Sequence, residues 1–268
     1  MQHTFFIAPT EIKTGLTSIT LGLIRSLDQL GLKVAVGKPI AHMKDSDRHR
    51  SIEMIQHATG IEPPKPISLK DAQTMVGNGQ QERLMEDVVA MHHQLSKDAD
   101  VVIIEGIVPD RNEPYTAKLN VEMSKTLDAE VILVTAPFGR SVSELKEHLT
   151  MATGLYGGHK NRNLLGIIIN KVNAPKNPAI PVKDQAALKA NATSTQLAMD
   201  QLSQLEKHHF NILGMIPWDS GLVAPRIEDI ANYLQATYLH KPKQLDQRVA
   251  SISLCARTVP NMVNALQP

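Results

Sequence analysis

The feature that most constrains this chain is a rhythm. Short runs rich in valine and isoleucine alternate with longer stretches whose apolar residues recur every three or four positions. The runs are Thr4–Ala8, Lys33–Gly37, Val101–Ile104, Val131–Val134, Leu164–Ile169 and Ile212–Ile216. Val101–Ile104 has no polar alternation, as expected of a strand covered on both faces. Leu16, Ile19, Leu23, Leu27 and Leu30 mark one face of a helix between the first two runs. Gly31 stands where a C-terminal helix glycine belongs, so the opening reads as a local β-α-β unit. Leu84, Val88, Met91 and Leu95 mark another helix, as do Val142, Leu145, Leu149 and Ala152. Parallel neighbours need crossover connections, so six strands alternating with helices predict an α/β fold: a three-layer parallel sheet with helices on both faces.

Composition narrows the class. Hydrophobic residues at 42% and charged residues at 21% are ordinary for a globular chain and exclude disorder and collagen-like structure. A net charge of +1 argues against a broadly basic surface, so no nucleic-acid partner is expected. No apolar run reaches the roughly 20 residues of a membrane span, and the N-terminus lacks the basic flank and apolar core of a signal peptide. Cys255 is the single cysteine, which excludes an internal disulfide and a multi-cysteine zinc site. A cytoplasmic protein with no membrane partner is expected.

Residues 1–240 read as one α/β domain and 241–250 as a linker. In 251–268, Ile252, Leu254 and Ala256 alternate as in a strand, and Val259, Met262, Val263 and Leu266 are spaced as in a helix. Two residue-based readings stay open there: the opening of a further domain, or a segment packed back on the sheet. Residues 43–50 read as a charged surface loop or helix start, and 174–195 as an extension on the sheet's rim. Trp218 is expected to anchor the last core strand.

Ligands of open parallel sheets sit beyond the strands' C-terminal ends, near helix N-termini. The turn Pro9-Thr-Glu-Ile-Lys-Thr-Gly-Leu-Thr-Ser18 lies at such an end and has the length and context of a phosphate loop. Thr10, Lys13, Thr14 and Gly15 would line it, with Thr17 or Ser18 offering a hydroxyl to magnesium. The motif's lysine is replaced by Leu16, Thr10 replaces its first glycine, and Glu11 adds negative charge. The turn therefore has the shape of a phosphate loop without its chemistry. Lys38 follows the second strand and either faces the same pocket or is a solvated strand-end lysine. Glu105 follows the third and suits either a magnesium ion or the cap of a turn. Asn170 follows the fifth, where nucleoside-binding folds place a base-reading side chain. No Gly-x-Ser-x-Gly elbow, His-Glu-x-x-His helix or Gly-x-Gly-x-x-Gly loop is present. The pairs His92-His93 and His208-His209 place neighbouring side chains about 100° apart on a helix, poorly set to share a metal. No metal site and no catalytic residue are assigned.

Together these residues resemble the dethiobiotin-synthetase-like family of P-loop proteins, through Pro9–Ser18, Lys38-Pro39, Glu105-Gly106, Asn170-Lys171 and Gly214–Trp218. The chain is more closely similar to the N-terminal region of long-form bacterial phosphate acetyltransferases. That likeness is carried by Ile7–Thr10, Gly15–Ser18, Gly37–Ala41, Ala99–Pro109, Leu119-Asn120, Lys125–Leu127, Asn170–Pro175 and Leu254–Pro260, with Leu16 included. The resemblance implies a regulatory and assembly domain of an enzyme that converts acetyl-CoA and phosphate to acetyl phosphate and CoA. It implies middle and C-terminal catalytic domains as partners, with 251–268 as the start of the middle one, and a homo-oligomer. It leaves the loop as a vestigial pocket for a nucleotide or an anionic metabolite, with ATP, NADH, pyruvate and phosphoenolpyruvate as candidates. Two alternatives are an ATP- and magnesium-dependent ligase of dethiobiotin-synthetase type and a stand-alone metabolite-sensing P-loop-like protein.

Overall fold

The computed structural model describes residues 3–42, 49–109, 115–174, 195–240 and 247–249. The expectations for 43–48, 175–194, 251–268 and Cys255 lie outside the described residues. Six strands, all parallel, form the main sheet: β1 (His3–Pro9), β2 (Val34–Gly37), β5 (Val101–Glu105), β6 (Glu130–Thr135), β7 (Leu164–Val172) and β8 (Ile212–Pro217). Their order is β2-β5-β1-β6-β7-β8, and β3 (Ile40–Ala41) pairs with β4 (Ile67–Ser68) in a second, two-stranded sheet. The sequence rhythm located all six strands. It misplaced one neighbour, because β2 pairs with β5, which also pairs with β1. The expected β-α-β unit is therefore split by a strand that lies more than sixty residues downstream.

Alternation within the central strands sorts the core into two layers. Phe6, Ala8, Val102, Ile104, Leu133 and Ile169 face one cluster, which is closed by α3 (Leu69–Gly77), α4 (Gln81–Ser96), α5 (Tyr115–Thr126) and α6 (Val142–Leu155). Ile7, Val101, Ile103, Ile132, Val134 and Ile168 face the other, beneath α1 (Leu16–Gln29) and α2 (Arg50–Thr59). Burial on both faces explains the unbroken apolar run of β5.

Helix α1 buries Leu16, Ile19, Thr20 and Ile24, with Leu23 and Leu27 half-buried beside them. Leu30 is 75% exposed and leaves the apolar face, since the helix has ended and Gly31 turns the chain at φ +79°. Helix α6 opens on a capping box in which Ser141 and Glu144 satisfy each other's backbone amides. Trp218 ties the sheet's last strand through its amide, which donates to the Val172 carbonyl at 2.9 Å. That strand is a half-exposed edge, not a core strand: Ile216 is exposed and no residue of β8 is fully buried. The last helix of the described residues is α7 (Ile227–Leu234). Among the described residues, no helix is long and apolar enough to cross a membrane.

Candidate functional site at the strand ends

Parallel pairing brings the C-terminal ends of β2, β5, β1, β6 and β7 to one edge of the sheet, where the Thr10–Gly15 turn leads into α1. Each expected site residue lies at this edge, in two groups, and a third group adjoins them.

The first group is buried and charged. Lys38 Nζ donates to Glu105 Oε1 at 2.6 Å and to the Gly106 carbonyl at 3.2 Å. Thr17 Oγ1 donates to the same carboxylate oxygen at 3.4 Å, whereas Ser18 points to solvent. Of the two candidate hydroxyls, Thr17 is thus the one brought to the acid. Lys38 is 3% exposed, which excludes its reading as a solvated lysine. Glu105 Oε2 is buried and accepts no hydrogen bond. The segment beyond β5 is held by Asn120, whose side chain accepts from Ile107 N and donates to Ile107 O, both at 2.8 Å.

The second group holds the loop. Asn170 Nδ2 donates to the Thr14 carbonyl at 2.8 Å, and Lys171 Nζ donates to the Lys13 carbonyl at 2.7 Å. Thr10 Oγ1 donates to Thr135 Oγ1 at 3.0 Å. Lys13 and Gly15 both take the left-handed conformation, with φ +62° and +85°. Leu16, which replaces the lysine of a phosphate loop, is 4% exposed and packs with Ile7 and Ile19 in the core under α1.

The third group was not anticipated. Arg140, in the turn between β6 and α6, grips Glu11 with both guanidinium arms, at 2.5 and 2.8 Å. His148 Nε2 lies 3.3 Å from the same carboxylate. The negative charge seen in the loop is therefore matched. Arg140 follows Gly139 beyond a buried strand, so the strand-end rule would have reached it had it been applied to β6.

His49 also adjoins this edge and is half-buried. Its Nδ1 accepts from Ser51 N at 3.3 Å and from Ser51 Oγ at 2.8 Å, capping α2. Burial and then the nearby Lys38 ammonium lower its pKa from the ordinary 6.5 to about 4. The unfolded chain thus takes up a proton that the folded chain refuses. Stability contributed by the neutral ring is complete above pH 6.5 and is lost as pH falls toward about 4. After allowance for its exposure the loss is on the order of 1–2 kcal/mol. Urea titrations across that range are expected to show it, and His49→Asn, which keeps a capping acceptor, should flatten the slope. An equal slope in the variant would place the pH dependence elsewhere.

Chemically, the edge offers a buried ammonium–carboxylate pair, a partly exposed guanidinium paired with Glu11 and a helix start without a side-chain cap. Among the described residues, no group of three or more His, Cys, Asp or Glu could hold a metal ion.

Residues 3–226 match a family described as an AAA domain. The chain belongs to the AAA domain family. Two relatives of this AAA domain are phosphate acetyltransferases. That of Pseudomonas aeruginosa is 40% identical over all of this chain, and that of Escherichia coli 31% identical over 98% of it. The resemblance to phosphate acetyltransferases stated from sequence is borne out. The chain spans about 37–38% of the length of these relatives. A solved chain of the MinC:MinD cell division complex of Aquifex aeolicus aligns over 82% of this chain and 84% of its own, at 16% identity and TM-score 0.48.

Proposed function

We propose that this chain is the N-terminal regulatory and assembly domain of a phosphate acetyltransferase, with acetyl transfer from acetyl-CoA to phosphate performed by other domains of the longer protein. The observation that carries the reading is full-length similarity to phosphate acetyltransferases of which the chain spans only about 37%. The site supports it in physical terms. Leu16 is committed to the core, and Glu105 is neutralised by Lys38. Both arrangements disfavour the ATP- and magnesium-dependent ligase, which needs charge at the first position and a free acid at the second. The loop keeps a shape suited to an anion without that chemistry, and Thr10, Lys13, Thr14, Gly15, Thr17 and Ser18 frame it. Lys38, Glu105 and Asn170 hold its walls. An anionic metabolite or nucleotide bound there would act as an effector. The middle and catalytic domains are its partners, a homo-oligomer is its assembly, and the cytoplasm is its compartment.

Two assays test the reading. The isolated chain is expected to release no CoA from acetyl-CoA and phosphate, and measurable turnover would overturn the assignment. The full-length polypeptide should keep acetyl transfer when residues 1–240 are removed but lose its response to NADH, pyruvate or phosphoenolpyruvate. An unaltered response in the truncated protein would exclude a regulatory role.

A further inference from the structure

We propose that Glu11 is a tethered occupant of an anion seat centred on Arg140, which a phosphate group must displace in order to bind the loop. The proposal rests on the reading of the loop as an effector pocket and names the device that would gate it. A carboxylate held by two parallel N–H donors of one guanidinium has the geometry with which arginine also receives phosphate. Arg140 makes that fork to Glu11 at 2.5 and 2.8 Å. Its guanidinium lies 5.8 Å from the centroid of the Phe138 ring, which limits the planes it can adopt. Phe138 itself is held at φ +50°, an uncommon conformation for an aromatic residue, at the strand-end edge.

A second group waits beside the first. His148 Nε2 is buried and close to Glu11 Oε1, yet it makes no hydrogen bond there. A tetrahedral oxyanion, which presents acceptors in more directions than a planar carboxylate, can engage Arg140 and His148 together. Exposure decides whether Glu11 can leave. The Arg140 and Glu11 side chains are 29% and 23% exposed, so water reaches the pair and screens it. The buried Lys38–Glu105 pair, at 4% and 1%, offers no such exchange. Glu11 also sits in the loop itself, so its departure removes a negative charge from the turn, while Asn170 and Lys171 keep the Thr14 and Lys13 carbonyls in place.

The seat's ligand is a phosphate group, either free inorganic phosphate or the terminal phosphate of a nucleotide. Calorimetric titration of the 268-residue chain with inorganic phosphate, and separately with ATP, tests the proposal. Glu11→Gln should bind one of these about five- to tenfold more tightly than the parent, the gain from removing a partly exposed internal competitor. Arg140→Gln should lose that binding, with thermal melts showing both variants folded. A gain for phosphate identifies the free ion as the ligand; a gain for ATP alone identifies a nucleotide. Equal affinity in Glu11→Gln and parent, or no binding by either, overturns the tethered-occupant proposal. That failure leaves the truncation assay of acetyl transfer untouched, so the two readings fall separately.

Discussion

Replacing Lys38 by methionine is expected to destabilise the protein by about 3–5 kcal/mol, the usual cost of leaving one charge of a buried pair alone. Lys38 and Glu105 are almost wholly buried and meet at 2.6 Å, so little water reaches either to soften the loss. Glu105 already has one oxygen, Oε2, without a hydrogen bond, and loss of Lys38 would leave Oε1 with only the 3.4 Å contact to Thr17. A carboxylate so placed must either ionise uncompensated or take up a proton. The double variant Lys38→Met/Glu105→Leu removes both charges and is expected to recover most of the stability, since apolar residues of similar size replace buried pairs with little loss. Urea unfolding followed by circular dichroism measures all three proteins. A single variant that unfolds at the parent's midpoint would show that the pair does not hold the ends of β2 and β5 together.

A second large effect is expected at Gly15. The residue takes φ +85°, where a side chain costs about 1–2 kcal/mol. An added Cβ would also stand 2.4 Å from Asn170 Nδ2, so the amide must move and release the Thr14 carbonyl. Stranding that bond adds roughly 1–3 kcal/mol, so Gly15→Ala should cost about 2–5 kcal/mol in total. In an Asn170→Ala background the clash is gone, and the same substitution should cost only the conformational share, about 1–2 kcal/mol. Thermal or urea melts of the four proteins give the coupling directly. Additive losses would mean that the Gly15 backbone, and not its approach to Asn170, sets the loop.

These two sites show where sequence reasoning reached and where it stopped. Period-two and period-3.6 patterns are local, so all six main strands and most helix faces could be read directly. Which strand lies beside which is a long-range choice, and β5 slipping between β1 and β2 leaves no mark within either of the early strands. Lys38, Glu105 and Asn170 were legible because strand C-termini collect at one edge. Their partners were not, since 67 residues separate Lys38 from Glu105 and 156 separate Thr14 from Asn170. Leu16 illustrates a half-legible residue: the missing lysine was evident, but its place in the core came only from the packing of α1 against Ile7. Arg140 was legible by position, at the end of β6, but its role depends on an acid 129 residues away.

The strand order also dictates a calendar for synthesis. β1 lies between β5 and β6, so it has no partner in the sheet until the ribosome has passed residue 105, and no second one until residue 135. At roughly 5–20 residues per second, the first strand waits about 5–20 s without a strand partner. During that interval the nascent chain presents an unpaired apolar segment of the kind that chaperones bind. A slow codon near position 100 would lengthen that wait.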